Sequence, residues 1–177
     1  TESMDMSGFT IYAIQMGAFN SEDNAKTEAE NVKAKKGAGY IIKDKLFRVL
    51  ASAYRSQEDA QNVKEQLKDQ GIDSQIYPLN INGVNIQITA GEEKVKNIKN
   101  AFEKWVDLGN EIGDLSIDFD RNEMQVSTAT KQLSKVKDDM ESISTILEEY
   151  ASGNEDNLIY KGLKDLYSTG LDDLNKI

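Results

Sequence analysis

The chain has 177 residues, with 31 acidic and 21 basic side chains and a formal net charge of −10. It contains no cysteine and no histidine, which excludes disulfides, thiolate metal sites, cysteine nucleophiles and histidine-based triads. No run of about 18 apolar residues is present, so the sequence predicts no membrane-spanning helix. We expect no metal and no cofactor.

The acidic side chains are concentrated in the second half. Residues 81–177 carry 19 of the 31 acidic and 11 of the 21 basic side chains. Nucleic acid and anionic lipid both need lysine and arginine clustered on one face. We therefore expect no nucleic-acid partner and no electrostatic docking on a membrane. The acidity is typical of a solvated helical surface.

A twofold repeat with an offset of 35 residues marks the first half. Residues 12–25 (YAIQMGAFNSEDNA) align with residues 47–60 (FRVLASAYRSQEDA). Each copy indicates an alternating strand, then a serine that can cap a helix, then a helix with acidic residues in its first turn. Ser21 and Ser56 are the predicted N-caps, and Gly37 and Gly71 the predicted C-terminal stops.

Two further strands complete this unit. Residues 40–47 predict a strand that turns into the next one, and residues 72–77 a last strand that ends at Pro78. The order β-α-β-β-α-β over about residues 9–79 predicts the α+β class. It places two helices on one face of an antiparallel sheet.

These residues resemble the SPOR domain family. The resemblance rests on Tyr-x-Ile-Gln-x-Gly-x-Phe at residues 12–19 and on Phe-Arg-Val at residues 47–49, and it covers about residues 8–79. It implies a ferredoxin-like two-layer domain that binds bacterial peptidoglycan without catalysis. It also implies that the ligand is glycan stripped of stem peptides, bound on the sheet face opposite the helices, in an envelope protein acting in cell division or sporulation.

Strand alternation and the family motif together give the candidate glycan-binding residues. Tyr12, Ile14 and Met16 are expected to face the helices, and Gln15 to face away from them with Arg48. A glutamine amide can both donate to and accept from sugar hydroxyls, and an arginine can bond acetamido carbonyls or lactyl carboxylates. The full candidate set is Gln15, Arg48, Leu46, Leu50, Ser52, Ala18 and Tyr40, with Tyr77 as an alternative stacking residue.

Departures from the family pattern leave a second interpretation open. The family commonly has a small hydroxyl residue at Ala18 and often an aromatic at Leu46, and it often reads Gly-Pro at residues 52–53. Loss of an aromatic weakens sugar binding, because aromatic faces pack on pyranose C–H surfaces. The alternative is a SPOR-fold protein-interaction or scaffold module whose sheet face is covered by its own helices or by a partner. For Arg48, the alternative is a surface charge paired with a nearby acid.

Residues 80–90 and 91–177 form the two remaining predicted segments. Asn82-Gly83 between alternating apolar residues predicts a hairpin that extends the sheet over residues 80–90. Apolar residues at helical spacing then predict three helices over residues 91–177, with breaks near Gly113-Asp114 and near residues 152–154. We expect an antiparallel bundle or hairpin with an internal core, the alternative being a seam for a second copy or a helical partner. The third apolar stripe is Ile159, Leu163, Leu166, Gly170, Leu174 and Ile177.

No sequence motif for catalysis is evident. Residues 118–122 resemble the start of a calcium loop, but Glu123 takes the glycine position and Ala129 that of the bidentate acid. A helix-capping acidic turn is the expected structure. We expect a protein that is not an enzyme, the weaker alternative being a glycan hydrolase that uses acidic residues of the second half.

Localisation and protein partners follow from the resemblance alone. The chain starts at Thr1 without an initiator methionine. We expect an extracytoplasmic envelope protein, anchored by an N-terminal segment outside this chain, with the membrane reached only through that anchor. Division or sporulation proteins are the expected partners of the helical region.

Overall fold

The computed structural model describes residues 2–121, 123–151 and 158–175. The chain divides into two compact units, one of residues 5–85 and the other of residues 1–4 with 86–177. The elements are β1 (Glu2–Met6), β2 (Phe9–Phe19), α1 (Glu22–Ala34), β3 (Tyr40–Lys43), β4 (Phe47–Tyr54), α2 (Gln57–Asp69), β5 (Gln75–Ile81), β6 (Val84–Ile88), α3 (Glu92–Asp120), α4 (Val126–Ala151) and α5 (Leu158–Leu174). The predicted α+β class is confirmed.

The first unit contains a four-stranded antiparallel sheet in the order β3-β4-β2-β5. The helical crossover from β2 to β3 leaves room for β4 between them, as the predicted β-α-β-β-α-β order requires. The central strand β2 is therefore flanked by β4 on one side and by β5 on the other.

A small apolar core fixes the face of the sheet that lies against α1. Ala25, Ala29 and Val32 of α1 are buried with Val49 of β4. Met16, Phe19, Ile41, Phe47 and Ala51 pack against this core. The predicted helix stripe and the predicted inward positions of Met16 and Val49 are therefore correct, and alternation places Ile14 on the same face.

A bulge in β4 changes which side chains share a face. Ile14 pairs with Ser52 and Gln15 pairs with Leu50, so Ala51 has no partner on β2. An extra residue in one strand interrupts the alternation of side chains. Ser52 consequently lies on the face of Ile14, and its predicted position beside Gln15 is wrong.

A second bulge, in β2, decides the face of the sheet on which Ala18 lies. Met16 has no partner on β4, because Gln15 and Gly17 pair with adjacent residues of that strand. Strict alternation would leave Ala18 on the face away from Gln15. The bulge returns Ala18 to the face of Gln15, where it pairs with Arg48.

The two repeat helices differ at their N-termini. Ser56 is the N-cap of α2, and its Oγ accepts a hydrogen bond of 3.3 Å from the backbone N–H of Asp59. Ser21 holds the same position before α1 with an extended backbone, but its side chain makes no capping hydrogen bond. The prediction of a side-chain cap is therefore confirmed for α2 and wrong for α1.

The strands β1 and β6, which precede β2 and follow β5 in the chain, form a separate two-stranded sheet. Asn82-Gly83 links β5 to β6 but does not form the predicted hairpin, because β6 pairs with β1 rather than with β5. The backbones approach closely at Gly8 and Gly83, where an added Cβ would lie 2.7 Å and 2.8 Å from the other glycine's nitrogen. The two glycines thus form a close crossing, and β6 does not extend the four-stranded sheet.

The second unit packs α3, α4 and α5 around one apolar core. The predicted break near Gly113-Asp114 is wrong, because α3 continues to Asp120; a glycine within a helix costs only about 1 kcal/mol. The residues that resemble a calcium loop begin in the last turn of α3, and Asn122 lies outside the described residues. The predicted break at residues 152–154 also lies outside them.

The buried stripe of α5 differs from the predicted one. Tyr160, Leu163 and Tyr167 are buried, whereas Leu166 is exposed. The Tyr167 hydroxyl donates a 2.7 Å hydrogen bond to the backbone carbonyl of Ala101, and its ring meets Trp105 edge-on with centroids 5.3 Å apart. Tyr167, whose hydroxyl is hydrogen-bonded, therefore fills the core position that the sequence predicts for Leu166.

Candidate functional site

The candidate site lies on the sheet face opposite α1 and α2, which we call the Gln15 face. Cross-strand partners share a face, so the register assigns its members. Gln15 pairs with Leu50 of β4, which in turn pairs with Tyr40 of β3. By register and alternation the Gln15 face comprises Phe9, Ile11, Ala13, Gln15, Ala18, Tyr40, Ile42, Arg48, Leu50, Ala53, Gln75, Tyr77, Leu79 and Ile81.

Arg48 and Tyr77 meet across the central strand. Arg48 lies on β4 and Tyr77 on β5, and the two strands flank β2. The Arg48 guanidinium carbon lies 4.4 Å from the centroid of the Tyr77 ring, within cation–π range. Nη1 of Arg48 donates a 2.8 Å hydrogen bond to Oε1 of Gln15 on β2. Three neighbouring strands thus each contribute one side chain to a single cluster.

Asp44, in the turn between β3 and β4, holds this cluster in place. Its Oδ1 accepts a 2.8 Å hydrogen bond from the backbone N–H of Leu46. Its Oδ2 accepts from Nε of Arg48 at 3.0 Å and from the hydroxyl of Tyr77 at 2.9 Å. One carboxylate therefore fixes both the guanidinium and the phenol.

These hydrogen bonds stabilise the charged forms of both partners. The Leu46 N–H, the Arg48 guanidinium and the Tyr77 hydroxyl, in that order, hold the pKa of Asp44 well below its usual range. The hydrogen bond to Asp44 raises the pKa of Arg48. The pair is partly solvated, since the Arg48 side chain is 19% and the Asp44 side chain 36% exposed.

The structure brings most of the predicted site residues together. Gln15 and Arg48 are in direct contact, and Leu50 lies beside Gln15 in the register. Gln15 and Leu50 are only 7% and 5% exposed, whereas Tyr40 is 63% exposed. Of these three side chains, only that of Tyr40 is readily accessible to a ligand.

Two predicted site residues occupy other positions. Leu46 is not on the third predicted strand, because β4 begins at Phe47 and Leu46 belongs to the turn bound to Asp44. Ser52 lies on the face of Ile14, as the bulge in β4 requires. The binding roles of the other candidates stay predictions.

Asp44 is the site residue that the sequence interpretation missed. The alternative considered for Arg48, pairing with a nearby acid, describes what the structure contains, and Asp44 is that acid at i−4. The sequence contains a signal for this pair, since only three residues separate Asp44, in the turn, from Arg48 at the start of β4. For the third partner, Tyr77, the sequence predicts only a stacking role.

The hydrogen bonds also determine which groups remain to meet a ligand. A guanidinium only donates, so the Gln15 oxygen must point to Arg48, and its amide nitrogen is left to donate elsewhere. The guanidinium retains further N–H groups, because a planar arginine carries five. Together with the Tyr40 ring, this arrangement can bind groups that accept hydrogen bonds and have apolar C–H faces.

The described residues contain neither a metal-binding cluster of acidic side chains nor a membrane-spanning helix. Within residues 2–121, 123–151 and 158–175, no three acidic side chains are grouped so as to hold a metal ion. No helix in this part of the chain has the length and apolar character needed to cross a membrane.

Comparison with known proteins identifies the first unit. Residues 9–78 match the family model of the SPOR domain, which is a binding domain rather than a catalytic one. The solution structure of the peptidoglycan binding domain of the B. subtilis cell wall lytic enzyme CwlC is 29% identical; the alignment covers 42% of this chain and 95% of that one, with a TM-score of 0.36. No curated protein matches. The family model thus matches residues 9–78 as a SPOR domain, as the sequence resemblance predicted.

Proposed function

We propose that this protein binds peptidoglycan through its SPOR domain, on glycan strands stripped of their stem peptides. The observation that carries the proposal is the cluster in which Arg48 bonds Gln15 and contacts Tyr77 on the face opposite the helices. The family match at residues 9–78 supports the same ligand. The proposed contact residues are Gln15, Ala18, Tyr40, Arg48, Leu50 and Tyr77.

The chemistry of the cluster fits a sugar ligand. The Arg48 and Gln15 N–H groups can donate to acetamido carbonyls and to hydroxyls. Tyr40, which is 63% exposed, supplies an aromatic surface for pyranose C–H groups. Because Asp44 and Tyr77 already hold Arg48 in position, little side-chain entropy is lost when the ligand binds.

The cellular setting belongs to the same proposal. Peptidoglycan binding implies a location in the cell envelope, and the SPOR family supports a role in cell division or sporulation. We propose that α3, α4 and α5 serve as the part of the chain that meets division or sporulation proteins. Catalysis is not part of the proposal.

Co-sedimentation with purified sacculi tests the proposal. The full chain is mixed with untreated sacculi and with sacculi stripped of stem peptides by an amidase. We expect enrichment on the stripped material, and we expect the Gln15→Ala/Arg48→Ala double variant to lose it. Loss of two charge-assisted or polar contacts corresponds to a fall in affinity of about tenfold or more.

A matched control separates loss of the site from loss of surface polarity. Gln61→Ala/Lys68→Ala removes a glutamine and a cation from α2, on the opposite side of the sheet. This variant should sediment like the wild type. If the folded wild type pellets with neither material, the proposed function is wrong.

A second candidate function is a protein-interaction or scaffold module. The observation that favours it is the near-complete burial of Gln15 and Leu50, at 7% and 5% exposure. Tyr40→Ala distinguishes the two candidates, because a glycan that stacks on Tyr40 would be lost with the ring. If the wild type pellets and neither Tyr40→Ala nor Arg48→Ala reduces its sedimentation, the glycan does not bind on the Gln15 face, which is then free for a protein partner.

A further inference from the structure

The charge of Arg48 is already compensated within the Gln15 face. Its Nε donates to Oδ2 of Asp44 at 3.0 Å, and Asp44 receives two further hydrogen bonds from Leu46 and Tyr77. A carboxylate held by three donors remains ionised throughout the neutral range. The guanidinium and the carboxylate therefore form a pair of zero net charge.

The pairing with Asp44 weakens the attraction between Arg48 and a negatively charged group of a ligand. A carboxylate that approached the guanidinium would come close to Asp44, and like charges at short range repel. It would also compete for donors that Asp44 and Gln15 already occupy. A carbonyl or hydroxyl oxygen meets neither obstacle, since a neutral acceptor needs only one free N–H.

Resting on the proposed function, we infer that Asp44 is a specificity-determining residue that makes the Gln15 face read the uncharged acetamido and hydroxyl groups of the glycan rather than its lactyl carboxylates. Asp44 acts through Arg48, as a positioning residue. The structure provides the geometry for this effect in the bond from Nε of Arg48 and the bond from the Tyr77 hydroxyl.

The test compares two forms of one probe. Glycan strands from amidase-treated sacculi carry free lactyl carboxylates, and carbodiimide coupling with methylamine converts these to neutral amides. We expect the full chain to bind both forms with affinities within about threefold of each other. We also expect a change of less than about threefold when sodium chloride rises from about 0.05 M to about 0.3 M.

The Asp44→Asn variant should reverse this behaviour. The asparagine retains an oxygen for the Leu46 N–H but removes the compensating charge from Arg48. Binding to the acidic strands should then become about tenfold tighter and sensitive to salt, and binding to the amidated strands should not strengthen. Asp23→Asn in the first turn of α1 makes the same change in net charge and should behave as the wild type.

The outcomes distinguish failure of the inference about Asp44 from failure of the proposed glycan binding. If the wild type binds acidic strands but loses more than about threefold on amidation, the inference is overturned and glycan binding stands. If the wild type binds neither form, the proposed function fails, and the inference fails with it. Because the first comparison uses only the wild type, it does not depend on the folding of a variant.

Discussion

Lys36 and Gly71 occupy equivalent positions in the two repeats, and both have a left-handed backbone. Their φ angles are 69° and 74°. Each residue donates its backbone N–H to the carbonyl three residues earlier. The residue that follows, Gly37 or Ile72, donates to the carbonyl five residues earlier, at 3.0 Å in α1 and 2.9 Å in α2. The repeat therefore uses one helix-ending geometry twice, once with glycine and once with lysine.

Exchange of these residues should change stability in opposite directions. A left-handed backbone costs an L-residue with a Cβ about 1 kcal/mol, so Lys36→Gly should raise the free energy of unfolding by about that amount. Gly71→Lys should lower it by about 1 kcal/mol, and an added Cβ there meets no atom within 4 Å, so the cost is confined to the backbone. Urea denaturation followed by circular dichroism measures both. Equal stability of Lys36→Gly and wild type would contradict this account.

Asp44 should contribute a dependence of stability on acid. The pKa of Asp44 is lowered in the folded state by the Leu46 N–H, Arg48 and Tyr77. A lowered folded-state pKa gives stability that is present above the unfolded pKa of about 4 and is lost as the pH falls below it. Urea denaturation at pH values on either side of 4 should therefore show a smaller loss in Asp44→Asn than in the wild type.

A carboxylate elsewhere serves as the control for that measurement. Asp73→Asn changes a residue of the loop between α2 and β5 and should retain the acid sensitivity of the wild type. If Asp44→Asn and the wild type lose the same stability on acidification, the hydrogen bonds at Asp44 do not favour its charged form.

Local sequence signals predicted the repeat unit well, because the information lies within short segments. The α1 stripe of Ala25, Ala29 and Val32 follows helical spacing, and these residues are buried as predicted. The inward position of Met16 follows from alternation. The family motif also placed Gln15 and Arg48 on one face, and they are in contact.

Features that depend on distant pairing were not predictable in this way. The bulge in β4 moves Ser52 to the opposite face, and no residue of Phe47–Tyr54 marks the insertion by its type. The cluster at Arg48 requires β5 to lie beside β2, so that Tyr77 reaches Asp44 from 33 residues away. Asn82-Gly83 has the composition of a hairpin, but β1 supplies a partner that competes for β6.

Tyr167 should make the helical unit sensitive to alkali. The ring is fully buried, and burial raises the pKa of the Tyr167 hydroxyl above its usual value. A raised folded-state pKa gives stability that is present below the unfolded pKa of about 10 and is lost as the pH rises above it. Tyr167→Phe should remove this loss, at a cost of about 1 kcal/mol at neutral pH for the hydrogen bond to Ala101. Fluorescence of Trp105, the one tryptophan of the chain, reports the transition.

Two glycines of α5 should respond oppositely to alanine. An added Cβ at Gly170 would overlap Cε of Met140, the flexible end of that side chain, and would lie 2.9 Å from the rigid Trp105 ring. Gly170→Ala should therefore destabilise the helical unit by about 1–3 kcal/mol through overpacking. Gly162 lies on the exposed side of the same helix with no atom within 4 Å of an added Cβ. Gly162→Ala should therefore stabilise the unit by about 0.5–1 kcal/mol, since alanine is the better helix former.

The contrast between these variants tests the packing of α5 rather than its helix propensity. Alanine improves propensity at both positions, so only contact with α3 and α4 can give the two substitutions opposite signs. Urea denaturation monitored by Trp105 fluorescence measures both on one helix with one probe. A stabilising Gly170→Ala would mean that Met140 and Trp105 can move aside, and that this part of the core is loosely packed. A destabilising Gly170→Ala beside a stabilising Gly162→Ala would establish the close approach of α5 to its neighbours.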